Sequence, residues 1–152
     1  MIVGFDLQRF LDAQASVYDN VLNELRGGRK RTHWMWFMFP QVAGLGESET
    51  SRYYSIRSLQ HATEYAQHPV LGRRLLECTS LVNKLEGRSA ADIFGQTDTM
   101  KFGSSMTLFD VTFPESCEFR KALDLFFDGA PDDATLRIVN RWRQADGAGT
   151  TL

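Results

Sequence analysis

Six consecutive bulky apolar residues, Trp34-Met35-Trp36-Phe37-Met38-Phe39, form the longest apolar run in the chain and constrain its fold more than any other feature. A membrane-spanning helix needs about 20 apolar residues, so a run this short has to be buried in protein instead. Aromatic residues favour strands, yet the length and apolarity also fit a short buried helix. Thr32 could cap such a helix, and Pro40 would end it near Met38, because the residue before a proline avoids helical geometry. The short helix is the reading adopted.

The rest of the chain carries helical signals. Leu7, Phe10, Leu11, Tyr18, Val21, Leu22 and Leu25 recur at spacings of three and four behind a capping Asp6, and Gly27-Gly28 can end that helix. Gly44, Gly46 and the Ser/Thr residues up to Ser51 read as a loop. Ser55 or Ser58 starts a helix that stops at His68-Pro69, and the next runs through Leu75, Leu76, Leu81, Val82 and Leu85 to Gly87. Ser89 with Asp92 resembles a capping box before a short turn ending at Gly95. Thr97 or Asp98 opens a segment through Leu108, Ser116 caps a helix to Asp128, and Asp132 or Asp133 caps a last one ending near Trp142. No alternating run is long enough for a sheet. The expectation is an all-α, mainly helical, single irregular domain of about seven helices over residues 1–143, with a frayed polar tail over 144–152.

Composition narrows the class. A chain of 152 residues with 43% hydrophobic and 24% charged residues suits one self-sufficient domain, because a domain of about 150 residues buries roughly 68–70% of its unfolded surface. Seventeen Lys and Arg against nineteen Asp and Glu give a net charge of −2, which argues against a general nucleic-acid partner. Cys78 and Cys117 form no CxxC pair and read as small apolar residues in a reducing compartment; with no signal-peptide pattern at the N-terminus, this gives a cytoplasmic expectation. No membrane partner is expected.

Metal and cofactor signals are missing. His61 and His68 stand seven apart, about 10.5 Å along a helix, which is too far to share one ion. His68 reads instead as a helix cap or surface residue. Gly44-Leu45-Gly46 continues as Glu47-Ser48-Glu49, without the third glycine of a dinucleotide fingerprint, so no cofactor is expected there. The oligomeric state is not legible.

Two clusters carry candidate chemistry. The first is basic and aromatic: no acid falls between Glu24 and Glu47, while Arg26, Arg29, Lys30 and Arg31 precede His33, Trp34 and Trp36. Guanidinium groups match phosphate or carboxylate in a bidentate way, and an indole face stacks on a planar ring. The competing explanation is a solvated basic loop beside an aromatic core. The second cluster runs from Asp98 to Thr107. On a helix, Asp98, Lys101 and Ser105 share a face, where carboxylate, amine and hydroxyl could position or activate a substrate; an ordinary surface ion pair has the same spacing.

The strings Leu7-Gln8-Arg9-Phe10-Leu11-Asp12-Ala13-Gln14, Gly28-Arg29-Lys30-Arg31-Thr32-His33-Trp34-Met35-Trp36-Phe37-Met38-Phe39-Pro40-Gln41, His68 to Leu75, Ile93-Phe94-Gly95 and Lys101 to Phe109 together resemble a small bacterial family of unknown function. Its members are sometimes labelled "calpastatin", a name that conveys no mechanism. The resemblance covers about residues 6–140 and implies a multihelical fold like that of a mycobacterial hypothetical protein. It implies no activity, substrate or catalytic residue.

The functional expectation is a site for a small anionic or nucleotide-like ligand, with Arg29, Arg31, His33, Trp34 and Gln41 as binding residues. His33, Asp98, Lys101 and Ser105 are the catalytic candidates, and whether the chain is an enzyme stays open. The alternative is a non-enzymatic protein-interaction module using exposed aromatics of Trp34–Phe39, and the weakest reading is single-stranded nucleic-acid binding by stacking.

Overall fold

The apolar stripe of residues 7–25 folds as two helices, α1 (Gln8–Ala15) and α2 (Tyr18–Arg26), where the sequence predicts one. The computed structural model describes residues 6–150, with side chains described to Ala145. The break falls at Ser16 and Val17, and it lets Gln14 and Val21 both reach the interior from one segment. Gln14 is fully buried and donates through Nε2 to the Phe37 carbonyl at 2.7 Å and the Tyr65 hydroxyl at 3.1 Å. A buried amide needs such partners, so these bonds fix the bend. Asp6 accepts from the Gln8 N–H at 2.9 Å, as its capping position predicts.

The aromatic run forms α3 (Met35–Met38), a single turn closed before Pro40. Trp34, Met35, Met38 and Phe39 are all buried, so the run supplies core first. Thr32 does not cap α3; its hydroxyl is spent on Glu24. The predicted loop beyond contains a further short helix, α4 (Glu49–Tyr53), started by Ser48 accepting from the Ser51 N–H at 3.1 Å. Around it, Val42 and Ile56 form an isolated parallel bridge, the sole β pairing among the described residues.

Local caps place the next helices. Ser58 accepts from the His61 N–H at 3.0 Å and opens α5 (Leu59–Gln67). His68 Nδ1 then accepts from the N–H groups of Val70 and Leu71 and opens α6 (Leu71–Asn83), which makes this histidine a cap. The two helices approach so closely that a Cβ on Gly72 would lie 1.9 Å from the Ala66 carbonyl oxygen.

Ser89 and Asp92 form the predicted capping box, and the short helical turn they start ends at Gly95, as the sequence predicts. Gly95, with a φ of 81° and a ψ of 166°, breaks the helical path, and a second, longer helix follows it; the two are labelled together as α7 (Ala90–Thr112). Only glycine adopts that geometry at little cost. Every residue from Phe102 to Phe109 is buried, Ser104, Ser105 and Thr107 included, so this part of α7 is enclosed on all sides and forms the central rod. α8 (Cys117–Phe127) packs on it and ends at Asp128 and Gly129, both with positive φ. α9 (Asp133–Thr150) also packs on α7, started by Asp132, which accepts from the Thr135 N–H at 3.0 Å.

The chain is all-α, with nine helices among the described residues against about seven predicted. The surplus comes from the split at Ser16–Val17, where Gln14 reaches Phe37 and Tyr65, and from α4, which a local cap at Ser48 starts. The backbone is helical through Thr150, past the Gln144 boundary where composition predicts a tail; residues 151 and 152 lie outside the described residues. No helix among the described residues is long and apolar enough to cross a membrane.

Candidate functional site

The basic loop after α2 is organised by one carboxylate. Glu24, only 8% exposed, accepts from the backbone N–H of Arg31 and Thr32, the Thr32 hydroxyl, the Asn20 amide and the Trp34 indole N–H. Burial alone would raise its pKa. The hydrogen bonds from Thr32, Arg31 and Trp34 outweigh that and hold it down to about 2. Farther along, the loop is tied to α7: Arg88 Nη1 donates to the Gly28 carbonyl at 3.0 Å, and the Lys30 N–H donates to the Ile93 carbonyl at 2.7 Å.

That docking carries the Lys30 side chain into the protein. Its ammonium lies 2.7 Å from Asp98 Oδ2 and 5.3 Å from the centre of the Trp34 ring, with only 7% of the side chain exposed. The Lys101 ammonium binds the other oxygen of Asp98 at 3.3 Å and sits 4.7 Å from the Trp36 ring centre. Two cations therefore share one carboxylate, and each rests against an indole face. Such placement supplements the ion pair by roughly 0.5–2 kcal/mol per cation, depending on desolvation.

These groups line a trough of about 370 Å³ between α3 and the kinked part of α7, with His33, Trp36, Phe94 and Thr97 in its walls. Beyond Thr97 and Lys101 it meets a cavity of about 250 Å³ that holds Gln41, Ser104 and Asp132 under the Leu45-Gly46 loop. On its other side, across Lys30, Phe94 and Gly95, lies a cavity of about 520 Å³ with Arg29 and Arg88. Small-molecule sites commonly fall between about 300 and 1,000 Å³.

The structure thus brings His33, Asp98 and Lys101 together, with Gln41 and Arg29 in the two flanking cavities. Three expected residues fall elsewhere. Trp34 is 1% exposed with its indole N–H on Glu24, so it is core, and Trp36 presents the aromatic face. Arg31 is exposed and lines none of the three cavities; its backbone serves Glu24. Ser105 is fully buried, and its hydroxyl has no hydrogen-bond partner among the described residues, because α7 is already interior at that turn. Ser104, one residue earlier, reaches the cavity and donates to Asp132 Oδ2 at 3.1 Å.

Lys30, Trp36, Ser104 and Asp132 are the residues that sequence reasoning missed. Lys30 and Trp36 lie within the first cluster, but nothing local says which basic or aromatic side chain turns toward α7. Asp132 is legible only as a cap, and it does cap: Oδ2 accepts from both the N–H and the hydroxyl of Thr135.

The interaction-module reading loses its exposed aromatic patch, since Trp34, Met35, Met38 and Phe39 are buried. The exposed large apolar residues, Tyr53, Leu76, Met100 and Leu125, sit on different elements. Among the described residues, no group of three or more His, Cys, Asp or Glu could hold a metal ion.

Several strings that carry the resemblance reach this site: residues 28–41 bring Lys30, His33 and Trp36, and Phe94, Gly95 and Lys101 come from two others, while Asp98 lies between those two. A family model described as a protein of unknown function, DUF1810, matches residues 4–139. The chain belongs to this family. It is similar to the conserved hypothetical protein Rv1873 from Mycobacterium tuberculosis, whose crystal structure matches with a TM-score of 0.88 and 49% sequence identity, covering 90% of this chain and 97% of that one. The DUF1810 fold is thus multihelical in both. No match is found among curated proteins.

Proposed function

We propose that the trough between α3 and α7 binds a small anionic, nucleotide-like ligand. The single observation carrying this reading is that the basic-aromatic cluster and the Asp98–Lys101 cluster, far apart in sequence, line one concave site. Trp36 borders the trough with the Lys101 ammonium over its ring, so a ligand ring would stack beside or in place of that ammonium, and the two ammoniums exceed the one carboxylate between them by one positive charge. Gln41 offers an amide able to donate and accept at the far end.

Catalysis on that ligand is the finer part of the proposal. His33, Asp98 and Lys101 would surround the bound molecule with groups able to donate and accept protons. Asp98 would hold Lys101 in place, and His33 would be the mobile partner, since it is exposed at the rim.

The reading is tested by thermal unfolding with a panel of nucleotides and sugar phosphates. A ligand at about 100 times its Kd adds about 2.7 kcal/mol, a rise of roughly 5–10 °C for a domain this size. The rise should vanish in Trp36→Leu and Lys101→Met, and no rise with any member of the panel overturns the reading. Incubation of a stabilising ligand with wild type and His33→Ala, followed by chromatography, tests the catalytic part; no turnover in wild type rejects it.

A further inference from the structure

Resting on that reading, we infer that the cavity of Arg29 and Arg88 is the phosphate seat of the same ligand, so that the ligand is an aromatic heterocycle carrying one or two phosphate groups. The first observation is adjacency. The two cavities share Lys30, Phe94 and Gly95 as a common wall, so a molecule lying against Trp36 can extend across Gly95, where no side chain intervenes.

The second is where positive charge is left unanswered. In the trough, Asp98 occupies both lysines, at 2.7 and 3.3 Å. In the neighbouring cavity no ion pair among the described residues involves Arg29 or Arg88. Asp92, the acid in that wall, is committed to its capping box, where Oδ2 accepts the Ser89 N–H at 3.1 Å. Lys30, shared by both cavities, is already paired with Asp98, so the lining cations that remain without an ion pair among the described residues are the two guanidiniums of Arg29 and Arg88. The more negative end of a ligand therefore belongs with the arginines, and its ring with Trp36.

The third is preorganisation. A guanidinium has five donors in a fixed fork, and Arg88 spends Nη1 on the Gly28 carbonyl at 3.0 Å. A Cβ on Gly28, whose φ is +80°, would lie 2.6 Å from Arg88 Cζ, so the absence of a side chain there admits the fork. The remaining donors keep a set orientation without an acid to satisfy them. Planar forks of this kind recognise phosphate oxygens in pairs, which a lone ammonium does not.

The test is calorimetric titration with pyrophosphate, four common nucleosides, and their 5′-mono- and diphosphates. Arg29→Ala is the main variant, because Arg88 also holds the Gly28 loop; Arg88→Lys, which keeps the charge and loses the fork, is the second. Binding should tighten at least 10-fold from nucleoside to diphosphate. Arg29→Ala should remove most of that gain and abolish pyrophosphate binding, leaving nucleoside affinity unchanged, and Arg88→Lys should weaken the phosphorylated probes alone. Equal affinity for nucleoside and diphosphate, or diphosphate binding indifferent to both variants, overturns the phosphate seat while leaving the trough reading intact. Pyrophosphate binding lost in Arg29→Ala, with no nucleoside effect of Trp36→Leu, keeps the seat and removes the stacking reading. No binding of any probe to wild type overturns both.

Discussion

The ammonium of Lys30 lies 2.7 Å from Oδ2 of Asp98, and this pair joins the basic loop after α2 to the central helix. Lys30 is the more deeply buried partner, with 7% of its side chain exposed against 18% for Asp98. A charge so placed depends on its partner, since an unpaired buried ammonium is strongly disfavoured. Asp98→Asn should therefore destabilise the fold by about 2–4 kcal/mol. Lys101→Met, which leaves the Lys30 pair in place, should cost about 1 kcal/mol or less. Urea unfolding of the two variants checks the order, and equal losses would mean the loop is not held through this pair.

Acid should loosen the same loop from its other side. Glu24 has its pKa held at about 2 against an ordinary 4.5, despite burial, by its hydrogen bonds. A depressed carboxylate contributes stability that is complete above pH 4.5 and lost as pH falls towards 2. Glu24→Gln puts an amide donor where the carboxylate accepted only, so it should cost about 2–3 kcal/mol at pH 7. It should also flatten the fall in unfolding free energy between pH 4.5 and pH 2. A variant as acid-sensitive as wild type in that window would locate the effect elsewhere.

Ser105 gives the opposite sign. Its hydroxyl is buried without a partner among the described residues, and a buried polar group left unsatisfied costs about 1–3 kcal/mol. Ser105→Ala should be neutral or stabilising by up to about 1 kcal/mol. It should also leave nucleotide-induced stabilisation untouched, whereas loss of that stabilisation would return this residue to the site.

The tail is tested by truncation. We propose that the domain ends near Arg143, since Trp142 still packs on the core and the residues beyond it are small and polar. Ending the chain after Arg143 should move the unfolding temperature by no more than about 2 °C. A drop of roughly 8 °C or more would make the helical extension through Thr150 part of the folded unit.

The helix starts were the most readable part of this sequence, because a cap involves groups three residues apart. Ser58, Ser89 with Asp92, and Asp132 all cap where their spacing predicts, and His68 caps α6. Interruptions were less readable. The stripe from Leu7 to Leu25 keeps its spacing across Ser16–Val17, and only Gln14 reaching Phe37 and Tyr65 shows why the chain bends there. Gly95 reads as a terminator and does break the helix, but the sequence does not show that a second helix follows at once and makes a kinked pair with the first. In the site, residue type and neighbourhood were legible for His33, Asp98 and Lys101. Which tryptophan is core was not: Glu24 claims Trp34, and only the fold brings that carboxylate to it.

The two sets of residues that line the trough lie about 60 residues apart in sequence, so no site exists until the chain has closed around α7. Fragments ending before Asp98, or beginning after Gln41, would hold half of the binding groups and no cavity between them. Ligand affinity in this protein should then report on long-range closure: a titration that detects the trough also counts the molecules in which the loop after α2 has met α7.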